Sequence, residues 1–448
     1  MSRIDPKAEL AALVGKAGVA ADAAALDSIR RDFGGHDLGR PVAIVRPRGV
    51  ADLVKLVKWA RKRKTPLVAL GSRTSFWAST RLRGRVALDM SAMSKVLAFD
   101  PAERTVRAEA GIRVRDLDAA LAAKGLTLPA APDGFGTATL ASLVTNDTVA
   151  GHGMYEGPAS RHVVELRAVL GTGQVLRVGA SALLAGLPAF SRAGLPDLLG
   201  PLLASEGGLA IIADLTLRAS PVPRVRSYAS GALSSPDSFA RLVHAAQKVR
   251  SGGQCHAWVH HSMVSGRDQL LVQVASEVSE AELDAKAQRV LQVINSAGIP
   301  EPKRSPANPP KWQLEPPGAV AWKGVSIAVP YANAGKVYGL WLSTLRPRVA
   351  EYAPKDDGFL RTYFGADGCA SLIGWTHAAD ARTESACATL EAELRRRLAP
   401  FGIPYRAGTV WREQLKGRVD RAYLKMLGRL KETFDPDGIL NPGVGLWP

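Results

Sequence analysis

Cysteine is scarce in this sequence of 448 residues, which contains only Cys255, Cys369 and Cys387. Three scattered cysteines without a Cys-x-x-Cys pair exclude a disulfide framework and a zinc ribbon, and they favour a reducing cytoplasm. Long apolar runs are also missing, since none approaches the roughly 18–20 residues that a membrane span needs. The first residues lack the apolar segment and cleavage site of a secretory signal. We therefore expect a cytoplasmic globular protein that does not span a membrane.

Acidic residues are outnumbered, with 41 Asp and Glu against 58 Lys and Arg, and the formal net charge is +17. This excess of basic residues makes nucleic acid, an anionic membrane surface and an acidic redox protein candidate partners. The basic residues are spread along the whole chain, and their densest run, residues 61–64, closes a predicted helix, where cations meet the negative end of the helix dipole. We interpret the charge chiefly as a solvated surface. We expect no nucleic-acid binding, while an acidic partner stays open.

Strand and helix patterns alternate in the first third of the chain. Apolar runs of strand length lie at residues 41–47, 65–70, 85–89, 96–100 and 105–109. Apolar residues at helical spacing predict helices over 50–64 and 114–124. Residues 40–130 are therefore expected to form two strand–helix–strand units side by side.

Longer elements follow. Gly-Thr-Gly at 171–173 joins two apolar runs as a hairpin signal, and a helix at 198–205 precedes a strand at 209–217. Pro-Val-Pro at 221–223 marks a boundary. Beyond it, helices are predicted at 236–250, 279–297, 378–398 and 419–433.

The loop after the second predicted strand, residues 71–75 (Gly-Ser-Arg-Thr-Ser), is the first candidate for cofactor chemistry. Small residues let backbone N–H groups and hydroxyls surround a phosphate, with a plain turn as the alternative. No Lys-Ser/Thr pair follows, and a Gly-x-Gly-x-x-Gly pattern is absent. Neither a P-loop nucleotidase nor a nicotinamide-type Rossmann domain is therefore supported.

Further short motifs follow this loop in order. They lie at residues 86–93, 106–111, 137–140, 204–209 (Ala-Ser-Glu-Gly-Gly-Leu) and 435–442 (Asp-Pro-Asp-Gly-Ile-Leu-Asn-Pro). In this order and spacing the series resembles the FAD-binding family of vanillyl-alcohol oxidase and para-cresol methylhydroxylase, and within it the glycolate-oxidase and D-lactate-dehydrogenase type flavoprotein subunits. The resemblance extends over roughly residues 38–221 and 416–443, somewhat under half of the chain.

The resemblance implies an α+β fold with a two-lobed FAD-binding domain and a cap domain of antiparallel sheet and helices. We place the FAD-binding domain at 1–221, the cap at 222–408, and a C-terminal return to the FAD-binding domain at 409–448. The implied cofactor is FAD. Ser72 and Arg73 stand where many covalent members carry histidine, so we expect non-covalent FAD, with His152 as the alternative link.

Carried over by position, the resemblance also implies the cofactor contacts. Residues wrapping the pyrophosphate would be Gly71, Ser72, Arg73, Thr74 and Ser75. Residues of the second phosphate and flavin-side loop would be Thr137, Thr139, Ala141, Ser142, Thr145 and Asn146. Residues near adenine and ribose would be Ser205, Glu206, Gly207 and Ile211, and Asn441 would approach the ring from the C-terminal return.

Two departures from the family pattern bear on the chemistry. Ala141 and Ser142 replace the usual Gly-Gly near the flavin, where side chains would narrow the flavin edge. The Gly-Asp-Gly-Asn-Leu-His and Glu-His-Gly stretches of metal-assisted 2-hydroxy-acid members are absent. His256, His260 and His261 are the dense histidine group, but no fourth ligand lies nearby in sequence, and we expect no metal.

Candidates for the substrate pocket come from the second part of the chain. His377 ends an apolar strand and is a candidate general base, with a surface histidine as the alternative. Arg361 and Tyr363 alternate on a strand-like run, where they would hold a carboxylate and donate a phenolic proton, with a solvated arginine and a core tyrosine as the alternative. Arg412 and Tyr405 lie in a stretch that, in related enzymes, supplies a cationic or phenolic substrate contact.

Together these features predict an FAD-dependent oxidoreductase acting on the CH–OH group of a small alcohol, foremost a 2-hydroxy acid of the glycolate or D-lactate type, by hydride transfer to flavin N5. A phenolic or other alcohol is one alternative. An FAD-binding electron-transfer subunit of a larger complex is another. Besides the small-molecule substrate, an iron–sulfur or other electron-acceptor protein is the candidate partner.

Overall fold

The computed structural model of the protein describes most of the chain. The described residues are 6–129, 132, 136–148, 153–183, 188–192, 195–231, 233, 235–250, 255–262, 267–305, 320–352, 358–378 and 380–447. Side chains are not described for a few residues inside these ranges, notably 255–262 and 267–268. His152 and most of residues 303–317 lie outside the described ranges.

The first sheet has the strand order β1-β2-β4-β3. Its strands are β1 (Val19–Ala20), β2 (Ala43–Val45), β3 (Leu67–Leu70) and β4 (Val86–Asp89). The helices beside it are α1 (Pro6–Val14), α2 (Ala23–Ser28) and α3 (Val50–Arg63). Both β2 and β3 pair with β4 in parallel. Helix α3 lies close to its predicted bounds and ends where Lys64 adopts a left-handed φ of 49°.

The second sheet is antiparallel and has the order β5-β6-β10-β8-β9. The strands of this region are β5 (Val96–Asp100), β6 (Thr105–Glu109), β7 (Leu126–Thr127), β8 (Val163–Leu170), β9 (Val175–Gly179), β10 (Ala210–Arg218) and β11 (Ser220–Pro221). The accompanying helices are α4 (Val114–Ala122), α5 (Leu140–Thr145), α6 (Gly153–Glu156) and α7 (Leu199–Leu202). The helix predicted over 198–205 is thus shorter than expected.

Of the two strand–helix–strand units expected within residues 40–130, the first is present as β2, α3 and β3, and the second is wrong. Strands β5 and β6 pair antiparallel with each other and belong to the second sheet. Only a short turn, residues 101–104, joins them. A parallel crossover needs about a dozen residues or more, so this connection permits only a hairpin. The predicted hairpin at 171–173 is confirmed, because β8 and β9 pair antiparallel around it.

The third sheet is antiparallel throughout and has the order β15-β12-β14-β13-β17-β18-β16-β19. Its strands are β12 (Arg224–Gly231), β13 (Cys255–Ser262), β14 (Arg267–Ser276), β15 (Lys303–Ser305), β16 (Val320–Val329), β17 (Gly358–Phe364), β18 (Cys369–Ala378) and β19 (Ile403–Pro404). The helices of this part are α8 (Pro236–Arg250), α9 (Glu280–Ser296), α10 (Tyr331–Leu340), α11 (Arg346–Ala350) and α12 (Ala381–Leu398). They pack on one face of the sheet around the buried Trp341 and Trp375.

The chain ends with α13 (Arg412–Leu415) and α14 (Arg421–Phe434). Phe434, Leu440 and Trp447 pack into the core of the first two sheets, whereas the third sheet and its helices form a separate core. The division at 221 and 408 stays a prediction. Among the described residues, no helix combines the length and apolarity needed to cross a bilayer.

Candidate functional site

The loop at residues 71–75 follows the carboxyl end of β3 and packs tightly against the start of α5. A Cβ atom at Gly71 would lie 2.6 Å from the Thr139 hydroxyl oxygen, so this position requires glycine. Arg73 adopts a left-handed φ of 59°. The Ser72 hydroxyl is buried and has no hydrogen-bond partner among the described residues. A buried, unsatisfied hydroxyl at a loop of small residues fits a phosphate-bearing ligand.

The start of α5 packs beside this loop. Its hydrogen bonds show how the Ser142 side chain is accommodated where the family pattern has glycine. The Ser142 hydroxyl donates to the Thr139 carbonyl at 2.7 Å and accepts from the Thr139 N–H at 3.1 Å. The Ser142 N–H in turn donates to the Thr139 hydroxyl at 3.4 Å. Because Ser142 is folded back onto the helix start, its hydroxyl caps α5 instead of projecting freely.

Glu206 links three separate parts of the chain. Its carboxylate accepts the backbone N–H groups of Ala407 and Gly408 at 3.1 Å. Its carbonyl accepts the Asn441 side-chain N–H at 2.7 Å, and that amide also donates to the Ser79 carbonyl at 3.0 Å. Burial raises the pKa of Glu206, against the lowering effect of the two backbone donors and the Arg406 charge.

The C-terminal segment closes this region. Asn441 N–H donates to the Leu67 carbonyl at 3.0 Å, which aligns the segment with β3. Lys431 is buried and donates to the Asp435 carboxylate at 2.6 Å and to the Gly208 carbonyl at 2.6 Å. The Asn441 side-chain oxygen is also buried without a partner among the described residues. It is therefore a second unsatisfied polar atom, after the Ser72 hydroxyl, and it lies close to Glu206.

These elements enclose a cleft of about 890 Å³, with its solvent-filled mouth included. The predicted cofactor residues that line it are Gly71, Ser72, Arg73, Thr74, Ser75, Thr139, Ala141, Ser142, Thr145, Asn146, Glu206, Gly207 and Ile211. Thr137, Ser205 and Asn441 are not in its wall, although the carbonyl of buried Ser205 accepts the Trp447 indole N–H at 2.8 Å. The sequence reasoning missed Asp32 and Met90, which also line the cleft.

A second cavity adjoins this cleft and lies against the face of the third sheet that the helices leave uncovered. Thr74, Ser75, Ser142 and Asn146 line both spaces, so the two are neighbours across one wall. Its remaining described lining is mainly aromatic and hydroxylic: Phe76, Trp77, Pro132, Ala138, Leu143, Thr148, Ser326, Tyr363, Ala370, Ser371, Leu372 and Tyr405. The only titratable side chains among these described lining residues are the two tyrosines.

Only some of the substrate-pocket candidates lie at the second cavity. Tyr363 and Tyr405 line the second cavity, and the buried Arg361 donates to the Tyr363 hydroxyl oxygen at 3.2 Å. Arg412 points to the C-terminal segment, where it donates to the Gly443 carbonyl at 3.1 Å, and it lines neither space.

His377 lies away from both spaces. It shares strand parity with Trp375, which is buried in the core between the third sheet and its helices. Its side chain is fully buried, and Nδ1 bonds the Ala378 carbonyl at 2.9 Å. A role as general base at the second cavity is therefore at odds with this position.

Arg406, which the sequence reasoning passed over, lies next to the second cavity. Its guanidinium carbon is 4.5 Å from the Tyr405 ring centroid. Its Nε and Nη2 atoms are buried without partners among the described residues. A buried guanidinium with unused donors fits an anionic group nearby.

A buried polar cluster joins the first sheet to the third. Asp32 accepts the Ala78 N–H at 3.0 Å and bonds the His36 ring at 3.1 Å, while the other ring nitrogen lies 3.1 Å from Glu391 of α12. Lys323 donates to the Gly34 carbonyl at 2.6 Å. Burial lowers the pKa of His36, but the bonds with Asp32 and Glu391 outweigh it and raise the pKa to about 9. The cluster holds the third sheet against the cleft.

Metal ligands do not gather in the described part of the chain. No group of three His, Cys, Asp or Glu side chains there is arranged to hold an ion. Strand β13 contains the dense histidine group, and its register pairs His260 with Arg361 and Trp258 with Tyr363. The side chains of His256, His260 and His261 lie outside the described set.

Comparison with known proteins supports FAD as the ligand of this cleft. Residues 41–179 match the FAD binding domain family. An uncharacterized FAD-linked oxidoreductase of Mycobacterium tuberculosis is 27% identical over 90% of this chain and 91% of its own length. Glycolate oxidase subunit GlcD of Bacillus subtilis is 23% identical over 90% and 88%. The structure of p-cresol methylhydroxylase with substrate bound shares the fold at a TM-score of 0.82, with 15% identity, over 98% of this chain and 95% of its own.

Fold and cleft thus define a flavoprotein with an FAD-binding domain, which confirms the predicted α+β architecture, the predicted family resemblance and FAD as the cofactor. The protein is an FAD-linked oxidoreductase, an enzyme of the oxidase and dehydrogenase class. When bound, FAD supplies the ring that accepts a hydride from substrate. The groups of this chain that fit FAD are the unsatisfied Ser72 hydroxyl, the backbone of residues 71–75 and Glu206 in the cleft lining.

Proposed function

We propose that this enzyme oxidises a small 2-hydroxy acid bound in the second cavity. The observation that supports this most directly is the Arg361–Tyr363 pair at that cavity. Arginine has only donors, so the Tyr363 oxygen is the acceptor in the bond between them, and in the proposed complex the phenolic proton is donated to the substrate. A substrate carboxylate in the cavity is a suitable acceptor, and the buried Arg361 charge balances it.

The position of the second cavity supports the same proposal. A substrate there shares Thr74, Ser75, Ser142 and Asn146 with the FAD cleft, so its carbon–hydrogen bond is held next to the cofactor. The aromatic side chains of the lining exclude water from that carbon. Arg406 beside Tyr405 adds a second cation that favours an anionic substrate. Non-covalent attachment of FAD remains part of the proposal.

One observation favours a second candidate, a phenolic alcohol. The cavity presents the rings of Phe76, Trp77, Tyr363 and Tyr405, and such a lining suits an aromatic substrate. A phenolate oxygen would accept from the same tyrosine and arginine donors as a carboxylate. The two candidates therefore differ in the body of the substrate rather than in the charge of its anchored end.

Kinetics of a single variant test the proposed anchor. Tyr363→Phe removes the donated hydroxyl, and we expect KM for D-lactate or glycolate to rise by roughly tenfold, the value of one hydrogen bond to a charged group. Tyr228→Phe, a buried tyrosine in the core of the same sheet, is the matched control and should leave KM unchanged. A Tyr363→Phe enzyme with unaltered KM for every hydroxy acid would remove Tyr363 from the proposal. Faster turnover of 4-hydroxybenzyl alcohol than of any hydroxy acid would replace the first candidate with the second.

A further inference from the structure

Helix α14 has an apolar stripe that the fold covers at only one end. Tyr423, Leu427, Leu430 and Phe434 recur at helical spacing and share one side of the helix. Phe434 is 7% exposed and packs in the core, whereas Tyr423 is 54% exposed. The neighbouring Met426 is 53% exposed. The first two turns of α14 therefore extend past the core with large apolar side chains in solvent.

A groove runs beside these exposed turns. Its apolar lining comes from Leu415, Val419, Leu424 and Leu446. Gly445 forms part of its floor, and a Cβ atom at Gly445 would lie 3.7 Å from the Glu206 carboxylate, which itself lines the FAD cleft. At this point Gly445 and Glu206 separate the groove from the cofactor cleft.

Basic side chains lie along this groove and on the solvent side of the exposed turns: Arg81 and Lys416 line the groove, whereas Lys425 and Arg429 lie about half a turn round α14 from the apolar stripe. The exposed basic side chains are Arg81, Lys416, Arg418, Arg421, Lys425 and Arg429. Two nearby carboxylates are engaged: Glu413 pairs with Lys416 at 2.8 Å and offsets its charge, and Asp420 caps α14 by accepting the Tyr423 N–H at 2.8 Å. With the exposed Glu432 included, cations still outnumber carboxylates here. We call this combination of uncovered stripe, groove and cations the α14 face.

We propose that the α14 face docks an acidic one-electron redox protein that takes electrons from this enzyme. Exposed apolar side chains with charged residues nearby are typical of a protein interaction site. The basic side chains select an acidic partner and steer its approach. A second copy of this chain would bring the same cations against one another, so charge argues against it. The thin wall to the FAD cleft places such a partner near the cofactor.

The electrons balance with two partner molecules. Oxidation of one CH–OH group releases two electrons and two protons. Each docked partner molecule is reduced by one electron, and the two protons pass to solvent. This inference depends on the oxidoreductase class of the protein and on no particular substrate.

The test uses the full chain with FAD bound, reduced anaerobically with dithionite so that substrate identity plays no part. Reduced enzyme is mixed with an acidic bacterial cytochrome c, and its reduction is followed by absorbance. We expect the second-order rate constant to fall at least tenfold between about 20 mM and about 300 mM salt. A basic cytochrome c should react more slowly at low salt.

Two matched variants locate the effect. Lys425→Glu with Arg429→Glu reverses charge on the α14 face, and Lys303→Glu with Arg304→Glu makes the same change on edge strand β15. We expect a loss of about tenfold or more for the first pair and less than about twofold for the second. Met426→Ser should also slow the cytochrome reaction. Reduction of a small neutral dye should be unchanged in all variants.

Several results would overturn the proposal. Equal losses in both charge-reversed pairs would mean that overall charge matters and the α14 face does not. An equal loss with the neutral dye would mean that the variants damage the cofactor site. Concentration-dependent dimers, or sedimentation with anionic lipid vesicles, that disappear in the α14 variants while the cytochrome rate is unchanged would assign the face to a second copy or to a membrane.

Discussion

Gly408→Ala tests the contact network between the FAD cleft and the chain segment that enters the second cavity. Gly408 has a left-handed φ of 49°, and an added Cβ would lie 1.7 Å from the Trp77 carbonyl oxygen. The φ alone costs alanine about 1 kcal/mol. The two backbones must also separate by about 1.5 Å to reach van der Waals contact. Such a shift breaks the bonds that Glu206 accepts from Ala407 and Gly408 at 3.1 Å.

The expected magnitude follows from those two bonds. Each hydrogen bond to a charged group contributes about 1.5–3 kcal/mol, so their loss removes about 3 kcal/mol or more from the cleft wall. We expect the FAD dissociation constant to rise about 100-fold. Glu206, buried and without its donors, would take up a proton more readily, because burial already raises its pKa.

Titration of apoprotein with FAD, followed by flavin fluorescence, measures the effect. Far-UV circular dichroism of the same sample reports whether the fold persists. Gly49→Ala is the matched control, since φ there is 172° and a Cβ meets nothing within 4 Å. A folded Gly408→Ala protein that binds FAD within about threefold of the wild-type affinity would refute the reasoning.

Three further predictions concern side chains around the cleft. Asn441→Asp replaces an amide that donates to two carbonyls, and FAD affinity should fall about tenfold in the same titration, whereas unchanged affinity would exclude the amide as a support. Lys431→Met leaves the Asp435 carboxylate buried and unpaired, so urea unfolding should show a loss of about 3–5 kcal/mol, and a loss under about 1 kcal/mol would contradict the account. The pKa of His36 is raised from 6.5 to about 9, so its bonds with Asp32 and Glu391 stabilise the fold fully below about pH 6.5, and this stability is lost as pH rises through 9. His36→Gln should flatten that pH dependence in urea unfolding, and an unchanged slope would argue against the pair.

The local parts of the site were predictable because their signals are local. The loop at Gly71 follows a strand with small residues, and most residues carried over from the resemblance line one cleft. The contact of Glu206 with Gly408 joins residues 202 positions apart, and no short-range pattern encodes it. Asp32 was missed for the same reason, since its bonds run to a separate loop.

The alternation of side chains along a strand explains where two of the substrate-pocket candidates lie. His377 shares parity with Trp375, whose apolar character marks the helix-covered face, so alternation already indicated that His377 points away from the second cavity. Tyr363 lies on the opposite face of the sheet from the helices and lines that cavity. The choice between Arg406 and Arg412 depended on the fold of a short irregular segment, for which the sequence has no periodic signal.

Anaerobic mixing of the purified, FAD-loaded enzyme with D-lactate or glycolate tests the central claim most directly. The visible flavin band should bleach with a hydroxy acid, more slowly with 4-hydroxybenzyl alcohol, and the flavin should move to the supernatant on subsequent acid precipitation. Bleaching by no hydroxy acid while the phenolic alcohol bleaches the band would contradict the proposed substrate class. Flavin that stays in the pellet would contradict non-covalent binding.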